Sequence, residues 1–487
     1  MLCYAMAPSE QQASYPHALV LPFPAQGHII PALQLANKLL SQGIRTTFIC
    51  AQHRINLIPT TLRFTGRVVA LPDKVDLEKE KVDAGVQSLC RSADTVEDMR
   101  DSFQQLLNSD QFSDSRIFLI SDFLLPWTAD IAIKINIPRY VFFPSSATAL
   151  SVSMYLPSLM AQIHIPLRSS DLHQCSTFIH VPGLPKLLAP SDLPSAFRED
   201  CPAESRNTCV KSCLLLREAS AIVVNSFSEL ERPCFRALQN DQRLNSNQTK
   251  IYSVGPLLQL DYINCPEFNS EEREHHPVEE PSYTKWLDTQ SSASVLYISF
   301  GSIAQLSVHQ IHEIAHGLEK STHPFLWVIR QPENCSESTA AYSLLPDGFQ
   351  IRTKGRGFIT FTWAPQLLIL SHPSTGGFFT HCGWNSILES ICRGIPVLAL
   401  PQFGEQDLNC RVVVDELQIG VEVEKGEDGV AGREEIERAV RLVMGEKGAE
   451  LRKKASEWMD AARMASVGSS AANFKSLCNK ITSYAYT

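Results

Sequence analysis

The sequence has no pattern typical of a disulfide scaffold, a zinc domain or a nucleic-acid-binding protein. Its 14 cysteines are scattered singly, without a CxxC pair or the spacing of zinc ligands, so we expect reduced thiols in the cytosol. Acidic residues outnumber basic ones by 52 to 43, which leaves a net charge of −9 over 487 residues. Nucleic acid is therefore not an expected partner.

Long apolar runs are also missing. The N-terminus has no basic segment followed by an apolar one, which argues against a signal peptide. The uncharged stretch 140–167 comes nearest to a membrane span, but Pro144, Pro157 and Pro166 interrupt it. A strand followed by a half-buried helix suits this stretch better. We expect a cytoplasmic monomer without a membrane span.

Several motifs of nucleotide and metal chemistry do not occur. There is no GxGxxG and no GxxxxGK[ST], which argues against dinucleotide oxidoreductases and P-loop enzymes. There is also no Asp-x-Asp, so a metal ion that bridges a diphosphate would have no obvious ligands. The sequence therefore predicts neither a metal nor another cofactor.

The sequence does contain short β-branched runs that alternate with helical stretches, which is typical of parallel α/β architecture. In the first half we predict strands at 18–21, 46–50, 68–71, 117–121, 140–143 and 221–225. In the second half we predict strands at 295–300, 325–329, 358–361, 377–380, 397–400 and 421–423. These patterns indicate two doubly wound sheets in tandem.

The polar, acidic and aperiodic segment 256–285 is the natural linker between the two sheets. It divides the chain into an N-terminal domain at 1–255 and a C-terminal domain at 286–470. The final residues, 471–487, continue a helical pattern, and we expect this helix to pack back on the N-terminal domain.

The stretch PFPAQGHIIP at 22–31 follows the first predicted strand, where ligands lie in open α/β sheets. Gly27 permits a tight turn, and His28 then lies in the first turn of a helix that runs to about Gln42. An imidazole that faces a cleft there suits general-base catalysis near neutral pH. A polar helix cap is the alternative, and this stretch alone does not decide between them.

The stretch GGFFTHCGWNSILES at 376–390 again has the order strand, tight loop and helix, with Asn385 or Ser386 at the helix start. Its helix N-terminus offers backbone N–H groups to a diphosphate, and His381 and Ser386 would add side-chain donors. Ser386 and Glu389 also match a capping box, in which Glu389 satisfies the helix's own amides. Both interpretations remain open at this level.

The 44-residue block from Trp363-Ala-Pro-Gln366 to Pro401-Gln-Phe-Gly-Glu-Gln406 encloses this loop. The whole block resembles the signature box of plant-type family 1 UDP-sugar-dependent glycosyltransferases in residue types and length. The resemblance extends to Gly27-His28, Ile120-Ser-Asp122 with Trp127, Lys285-Trp-Leu-Asp288 and Ser299-Phe-Gly-Ser302. It implies the GT-B fold, in which two Rossmann-like domains face a central cleft.

The resemblance also assigns donor-binding roles. Uridine would be held by the counterparts of the family's base- and ribose-binding residues, which are Trp363, Ala364, Gln366 and Glu389. The diphosphate would be bound by Ser302, His381, Asn385 and Ser386. The sugar hydroxyls would be met by Ser145, Trp384, Glu405 and Gln406. The family more often has Asp at position 405, so Glu405 is longer by one methylene.

In the family, the Asp that matches Asp122 orients the histidine that matches His28, although a strand-end turn role is the alternative for Asp122 alone. The resemblance implies that His28 deprotonates an acceptor hydroxyl, which displaces UDP with inversion. UDP-glucose would be the co-substrate, since Gln406 is the residue type the family most often pairs with glucose. Another UDP-sugar donor, or a non-catalytic UDP-sugar-binding protein, remain alternatives.

The acceptor is expected to be a small lipophilic molecule such as a flavonoid, another phenolic, a terpenoid or a hormone. Its pocket would be built from the N-terminal domain, including the stretch 142–167 and the loops near 73–100 and 182–205. Apolar walls with a few polar groups suit all of these classes about equally.

Overall fold

Two parallel sheets, one from each half of the chain, form the frame of the protein. The computed structural model describes residues 16–58, 64–73, 86–109, 112, 116–168, 178–258, 282–330 and 343–486. The seven-stranded first sheet has the order β3-β2-β1-β4-β5-β6-β7. Its strands are β1 (Pro16–Leu21), β2 (Arg45–Ala51), β3 (Arg67–Leu71), β4 (Arg116–Asp122), β5 (Arg139–Phe143), β6 (Ala221–Val224) and β7 (Lys250–Ser253).

The six-stranded second sheet has the order β10-β9-β8-β11-β12-β13, and all of its pairings are parallel. Its strands are β8 (Val295–Ser299), β9 (Phe325–Val328), β10 (Gly357–Thr360), β11 (Thr375–Thr380), β12 (Val397–Ala399) and β13 (Gly420–Glu422). In both sheets the strand order reverses next to the first strand of the half, which opens a crevice at the carboxyl ends.

Helices lie between most successive strands, because a connection between parallel strands must cross over the sheet. In the first half they are α1 (Gln26–Ser41), α2 (Val86–Leu107), α3 (Trp127–Lys134), α4 (Ala147–Gln162), α5 (Ala203–Leu215), α6 (Arg232–Gln239) and α7 (Gln242–Ser246). In the second half they are α8 (Ser282–Asp288), α9 (Val308–Ser321), α10 (Phe349–Arg352), α11 (Gln366–Ser371), α12 (Trp384–Arg393), α13 (Gln406–Arg411) and α14 (Arg433–Met444). The chain ends with α15 (Glu446–Val467) and α16 (Ser469–Tyr486).

The predicted α/β class with two doubly wound sheets is confirmed, and each of the twelve predicted strands ends within two residues of its predicted bounds. Strand β7 was not predicted. Its sequence, Lys-Ile-Tyr-Ser, is only four residues long and lies at the sheet edge, with Lys250 exposed and Ile251 half-buried. Such a short edge strand carries too little apolar pattern to be recognised.

The last two helices connect the halves. Helix α15 packs on α12 of the second half, whereas α16 packs on the first sheet. There, Phe474, Leu477 and Ile481 lie in the same apolar cluster as core residues of β1 and α1. The chain passes from one half to the other at Gly468. Most of the predicted linker, 259–281, lies outside the described residues.

Candidate active site

The loops at the carboxyl ends of the two sheets meet. The turn after β1 carries Gly27 and His28, and the loop after β11 leads into α12. The Asn385 side chain at the start of α12 donates a hydrogen bond to the carbonyl of Gly27 at 2.7 Å. The two loops singled out in the sequence therefore lie side by side, although they are far apart along the chain.

His28 and Asp122 form a hydrogen-bonded pair, with Nδ1 of the imidazole 2.8 Å from Oδ2 of the carboxylate. The carboxylate is fully buried, and its other oxygen accepts the backbone N–H of Leu124 at 3.0 Å. Both oxygens are thus oriented. The imidazole is 20% exposed, and its Nε2 is the nitrogen left to take a proton.

The charges around His28 favour its protonated form. Burial lowers the pKa of His28, but the Asp122 charge, the hydrogen bond that the imidazole donates to Asp122 and the Glu405 charge together outweigh burial and raise the pKa above 6.5. Glu405 comes from the second half of the chain, so both halves contribute to the basicity of the imidazole.

Aromatic rings surround the imidazole. The ring centroids of Phe23 and Phe123 lie 5.2 and 6.4 Å from that of His28, and Phe123 also lies 4.5 Å from Phe143. Helix α4 follows β5 at this edge, and its first eight residues are all buried. The side of the imidazole that faces these rings is therefore apolar, whereas the Asp122 carboxylate lies at its Nδ1.

The loop between β11 and α12 is tightly built. A Cβ atom at Gly301 would lie 2.7 Å from the ring of His381, and one at Gly383 would lie 2.5 Å from it. Both glycines thus make room for the imidazole. Burial lowers the pKa of His381 to about 4, so this side chain is neutral at pH 7 and offers a single N–H rather than a charge. Ser302, exposed, follows Gly301 beyond the end of β8, which pairs with β11.

The capping-box interpretation of Ser386 and Glu389 is wrong. Helix α12 begins at Trp384, one or two residues earlier than predicted, and its N-cap is Gly383 without a side-chain cap. Glu389 instead accepts a hydrogen bond from Gln366 Nε2 at 2.7 Å, and the same nitrogen lies 2.9 Å from Ser386 Oγ. Burial raises the pKa of Glu389 to about 7, against the opposing effects of Gln366 and Arg393.

Trp363 and Ala364 lie on the loop between β10 and α11, next to Gln366. The Trp363 indole is 75% exposed, whereas Ala364 is buried. Large aromatic side chains are usually covered, so an exposed indole on the same loop as Gln366 presents a flat face to a planar ligand. Gln366 thus contacts α12 through Ser386 and Glu389, and Trp363 and Ala364 lie two or three residues before it in the same loop.

Two of the residues predicted to bind the sugar lie where the two halves of the chain meet. Ser145 Oγ donates to Glu405 Oε1 at 2.8 Å, so the two are in contact across the halves. The Gln406 side-chain oxygen accepts the backbone N–H groups of Gln402 and Phe403 at 2.9 and 3.1 Å. Only its amide nitrogen is then left for a ligand.

The Trp384 side chain does not point to a sugar site, because its polar and apolar atoms already have partners in the first half of the chain. Its Nε1 donates to the carbonyl of Asn225 at 2.7 Å, and its ring lies in an apolar cluster with Phe227 and Leu230 of the first half. A contact with a sugar hydroxyl would therefore have to come from the backbone of Trp384 rather than from its indole.

Sequence reasoning missed two buried asparagines that hold these loops in place. Asn225, at the end of β6, accepts the Leu257 N–H at 2.9 Å as well as the Trp384 indole. Asn409, on α13, bonds to Ser146 and to the carbonyl of Cys382. For Asn225 the one signal in the sequence is a polar residue at the end of an apolar run, which does not reveal its partners, and the polar neighbours of Asn409 give no signal at all.

Other predicted features are partly described. The stretch 142–167 forms the end of β5 and helix α4, as expected for a strand followed by a helix. Of the segment near 73–100 that we predicted as a loop, residues 74–85 lie outside the described part of the chain, and 86–100 form the first part of helix α2, so the loop prediction is wrong there. The segment 182–205 is described. No described helix is both long and apolar enough to cross a membrane. Within the described ranges, no three His, Cys, Asp or Glu side chains are grouped to hold a metal ion.

Known proteins share this architecture over nearly the whole chain. The family model "UDP-glucoronosyl and UDP-glucosyl transferase" matches residues 257–456. UDP-glycosyltransferase 72B1 of Arabidopsis thaliana is 33% identical over 93% of both chains. Hydroquinone glucosyltransferase of Rauvolfia serpentina is 32% identical over 92% of this chain and 94% of its own.

A solved structure gives the same result. It is the complex between 3,4-dichloroaniline and a UDP-glucosyltransferase from Polygonum tinctorium capable of glucosylating indoxyl. It superposes with a TM-score of 0.80 at 31% identity, over 97% of this chain and 100% of that one. The protein therefore belongs to the plant-type family 1 UDP-sugar-dependent glycosyltransferases, and is an enzyme of GT-B fold that glycosylates small-molecule acceptors.

Proposed function

We propose that the enzyme transfers glucose from UDP-glucose to a hydroxyl group of a small lipophilic acceptor with inversion, which yields a β-O-glucoside. The observation that carries the proposal is the His28–Asp122 pair, placed beside the loop that leads into α12. A base and a donor-binding helix N-terminus at one cleft are the two components that such a transfer needs.

In the proposed reaction, Nε2 of His28 takes the proton of the acceptor hydroxyl while that oxygen attacks the anomeric carbon. The bond between this carbon and the diphosphate breaks from the opposite face, and UDP leaves with the electron pair. Asp122 stabilises the imidazolium that forms and holds the imidazole in the required tautomer. The arrangement corresponds to the base half of a catalytic triad, with the acceptor oxygen in place of the serine.

For the donor, we assign the uridine to Trp363, Ala364, Gln366 and Glu389, and the diphosphate to Ser302, His381, Asn385 and Ser386. Charge that develops on the leaving diphosphate would be met by N–H groups at the start of α12 and by the neutral imidazole of His381. No metal ion has a role in this proposal, because the sequence has no Asp-x-Asp to bind one.

For the sugar, we assign Ser145, Glu405, Gln406 and the backbone of Trp384. Since the Gln406 oxygen holds the 402–403 backbone, its amide nitrogen would donate to a sugar hydroxyl. The glucose preference is supported by relatives named as glucosyltransferases, among them the enzymes of Rauvolfia serpentina and Polygonum tinctorium.

For the acceptor, the aromatic side chains of Phe23 and Phe123 beside His28 favour a planar, apolar molecule, since ring faces stack with a gain beyond that of burial alone. The related enzymes act on the phenolic hydroquinone and on indoxyl, as their names say. We therefore place phenolic acceptors first within the lipophilic class. A monomeric, cytosolic protein is part of the same proposal.

The test is a panel of aglycones incubated with labelled UDP-glucose, with native protein and His28→Ala run in parallel. Glucosides that form with native protein and are nearly lost with His28→Ala support the proposal, and the anomeric configuration of the product by NMR tests inversion. An α-linked product, or equal product from both proteins, would contradict it.

A further inference from the structure

Asn409 is a fully buried amide whose two partners belong to different halves of the molecule. Its Oδ1 accepts a hydrogen bond from Ser146 Oγ, which lies at the start of α4 in the first half, at 3.0 Å. Its Nδ2 donates to the carbonyl of Cys382, in the loop after β11, at 3.0 Å. One side chain thus connects the acceptor side and the donor side of the cleft.

The Cys382 partner is in an unusual conformation. Its φ of 65° lies in the left-handed region, which is unfavourable for a residue with a Cβ atom. Cys382 lies between His381 and Gly383, the N-cap of α12. Rotation at Cys382 would therefore move both the imidazole and the helix N-terminus that we assign to the diphosphate. The bond from Asn409 holds the carbonyl of this residue in place.

The Ser146 partner is the N-cap of α4, and its Oγ also accepts the N–H of Ala149 at 3.1 Å. The neighbouring Ser145 contacts Glu405, whose carbonyl in turn accepts the N–H of Asn409 at 3.1 Å. Two adjacent serines just before α4 thus contact two residues one turn apart, the N-cap Glu405 of α13 and Asn409 within α13. The inner pair, Ser146 and Asn409, is completely buried.

The α4 start is itself fixed on the other side by Glu231, which is fully buried. Its carboxylate accepts the backbone N–H groups of Ala147 and Thr148 at 2.8 and 2.7 Å. Because Glu231 holds the N-terminal amides of α4 in this way, the N-cap residue Ser146 has a fixed position from which it bonds to Asn409.

We propose that Asn409 is a positioning residue that sets the conformation of the diphosphate-binding loop through Cys382 and couples this loop to the acceptor-side helix α4 through Ser146. The proposal rests on the proposed assignment of residues 381–386 to the diphosphate. An amide suits both partners, because it presents an acceptor to the hydroxyl and a donor to the carbonyl. A carboxylate retains the first bond and loses the second.

The first test is Asn409→Asp, with UDP affinity measured by calorimetry and stability by thermal unfolding. We expect UDP affinity to fall about tenfold or more, because a misplaced loop loses several contacts together. The matched control is Ser321→Ala, which removes a fully buried hydroxyl that bonds locally to the Leu318 carbonyl at 2.8 Å in the same half. It should lower the melting temperature and leave UDP affinity unchanged.

The second test covers the case in which Asn409→Asp does not fold. Ser146→Ala removes a hydroxyl of the first half that lies outside the donor-binding residues. We expect this variant to weaken UDP binding about threefold. We also expect it to raise KM for UDP-glucose more than it lowers kcat. Its control, Ser151→Ala, removes another buried hydroxyl of α4, which bonds to the Ala147 carbonyl at 2.9 Å. This control should bind UDP as native protein does.

Native UDP affinity in Asn409→Asp or in Ser146→Ala would overturn the proposal, as would equal losses in the variants and their controls. His381→Ala separates this outcome from a wrong assignment of the loop. If His381→Ala also binds UDP normally, the loop does not hold the diphosphate, and the role of Asn409 fails with it. If His381→Ala loses affinity and the Asn409 variant does not, the loop assignment stands and the role of Asn409 alone is wrong.

Discussion

Asn385 Nδ2 donates to the carbonyl of Gly27 across the cleft at 2.7 Å, one residue before His28. The bond joins the turn that carries the proposed base to the helix start that is proposed to carry the diphosphate. Two loops on separate sheets are thereby held in register, which is the geometric requirement for a reaction between two bound substrates.

Removal of the imidazole should affect turnover and leave donor binding intact. We expect His28→Ala to lower kcat by about 10²–10⁴, since that is the usual contribution of a general base. UDP affinity, measured by calorimetry, should change little because the donor is assigned to the other half of the chain. Turnover near the native value would show that another group takes the proton.

The pH profile of the reaction should show the raised pKa of His28. The neutral imidazole is the active form of a base, so kcat/KM for the acceptor should fall as the pH drops below a pKa that lies above 6.5. Asp122→Asn removes the carboxylate that raises this pKa, so the acid limb should move to lower pH while the maximal rate falls. The acceptor must be one whose hydroxyl does not titrate in this range. If the acid limb of the pH profile is the same in Asp122→Asn as in native protein, a group other than His28 causes the loss of activity at low pH.

Donor affinity should also depend on pH through Glu389. Burial raises the pKa of this carboxyl to about 7. If the ionised form accepts the ribose hydroxyls, UDP-glucose should bind best above pH 7 and weaken below it by up to about tenfold per pH unit. Calorimetry with UDP-glucose tests this, because its esterified phosphates do not titrate nearby. Glu389→Gln should bind more weakly with a flat profile, and a flat profile in native protein would rule out the ribose role.

Donor choice should depend on Gln406. We expect UDP-glucose to exceed UDP-galactose in kcat/KM by about 10–100, the selectivity that one unmatched hydroxyl produces in a desolvated site. Gln406→Ala should narrow this ratio. Gln406 also holds the 402–403 backbone, so a control for loop disturbance is needed. Gln402→Ala removes the bond from Gln402 Nε2 to the Leu400 carbonyl at 2.9 Å in the same loop and should keep the ratio. Equal efficiency of the two donors in native protein would assign donor choice to other residues.

Transfer should continue in excess EDTA, since the proposed leaving-group stabilisation uses only the start of α12 and His381. The measurement is initial rate with and without chelator after dialysis. Complete loss of activity that Mg²⁺ or Mn²⁺ restores would show that a metal ion neutralises the diphosphate.

The sequence by itself determined the class of the fold and the segments that form the site. Short β-branched and apolar runs located twelve strands, because strands that are buried on both faces of a parallel sheet must be apolar along their length. The box from Trp363 to Gln406 and the Gly27-His28 turn were recognisable because their residue types and spacings are local properties of the chain. The His28–Asp122 pairing was expected only through the family resemblance.

Only the tertiary structure decided which side-chain atoms of the site already have hydrogen-bond partners within the protein and are not available to a ligand. The Trp384 indole and the Asn409 amide each bond to groups that are distant along the chain, and no spacing in the sequence encodes those partners. The Gln406 oxygen bonds within its own loop, which no pattern in the sequence indicated. The capping-box interpretation failed for the same reason, since Glu389 accepts a hydrogen bond from the Gln366 side chain and not from the backbone at the start of its own helix. The pKa values of His28, His381 and Glu389 likewise follow from burial and from charges of distant segments, which exist only in the folded chain.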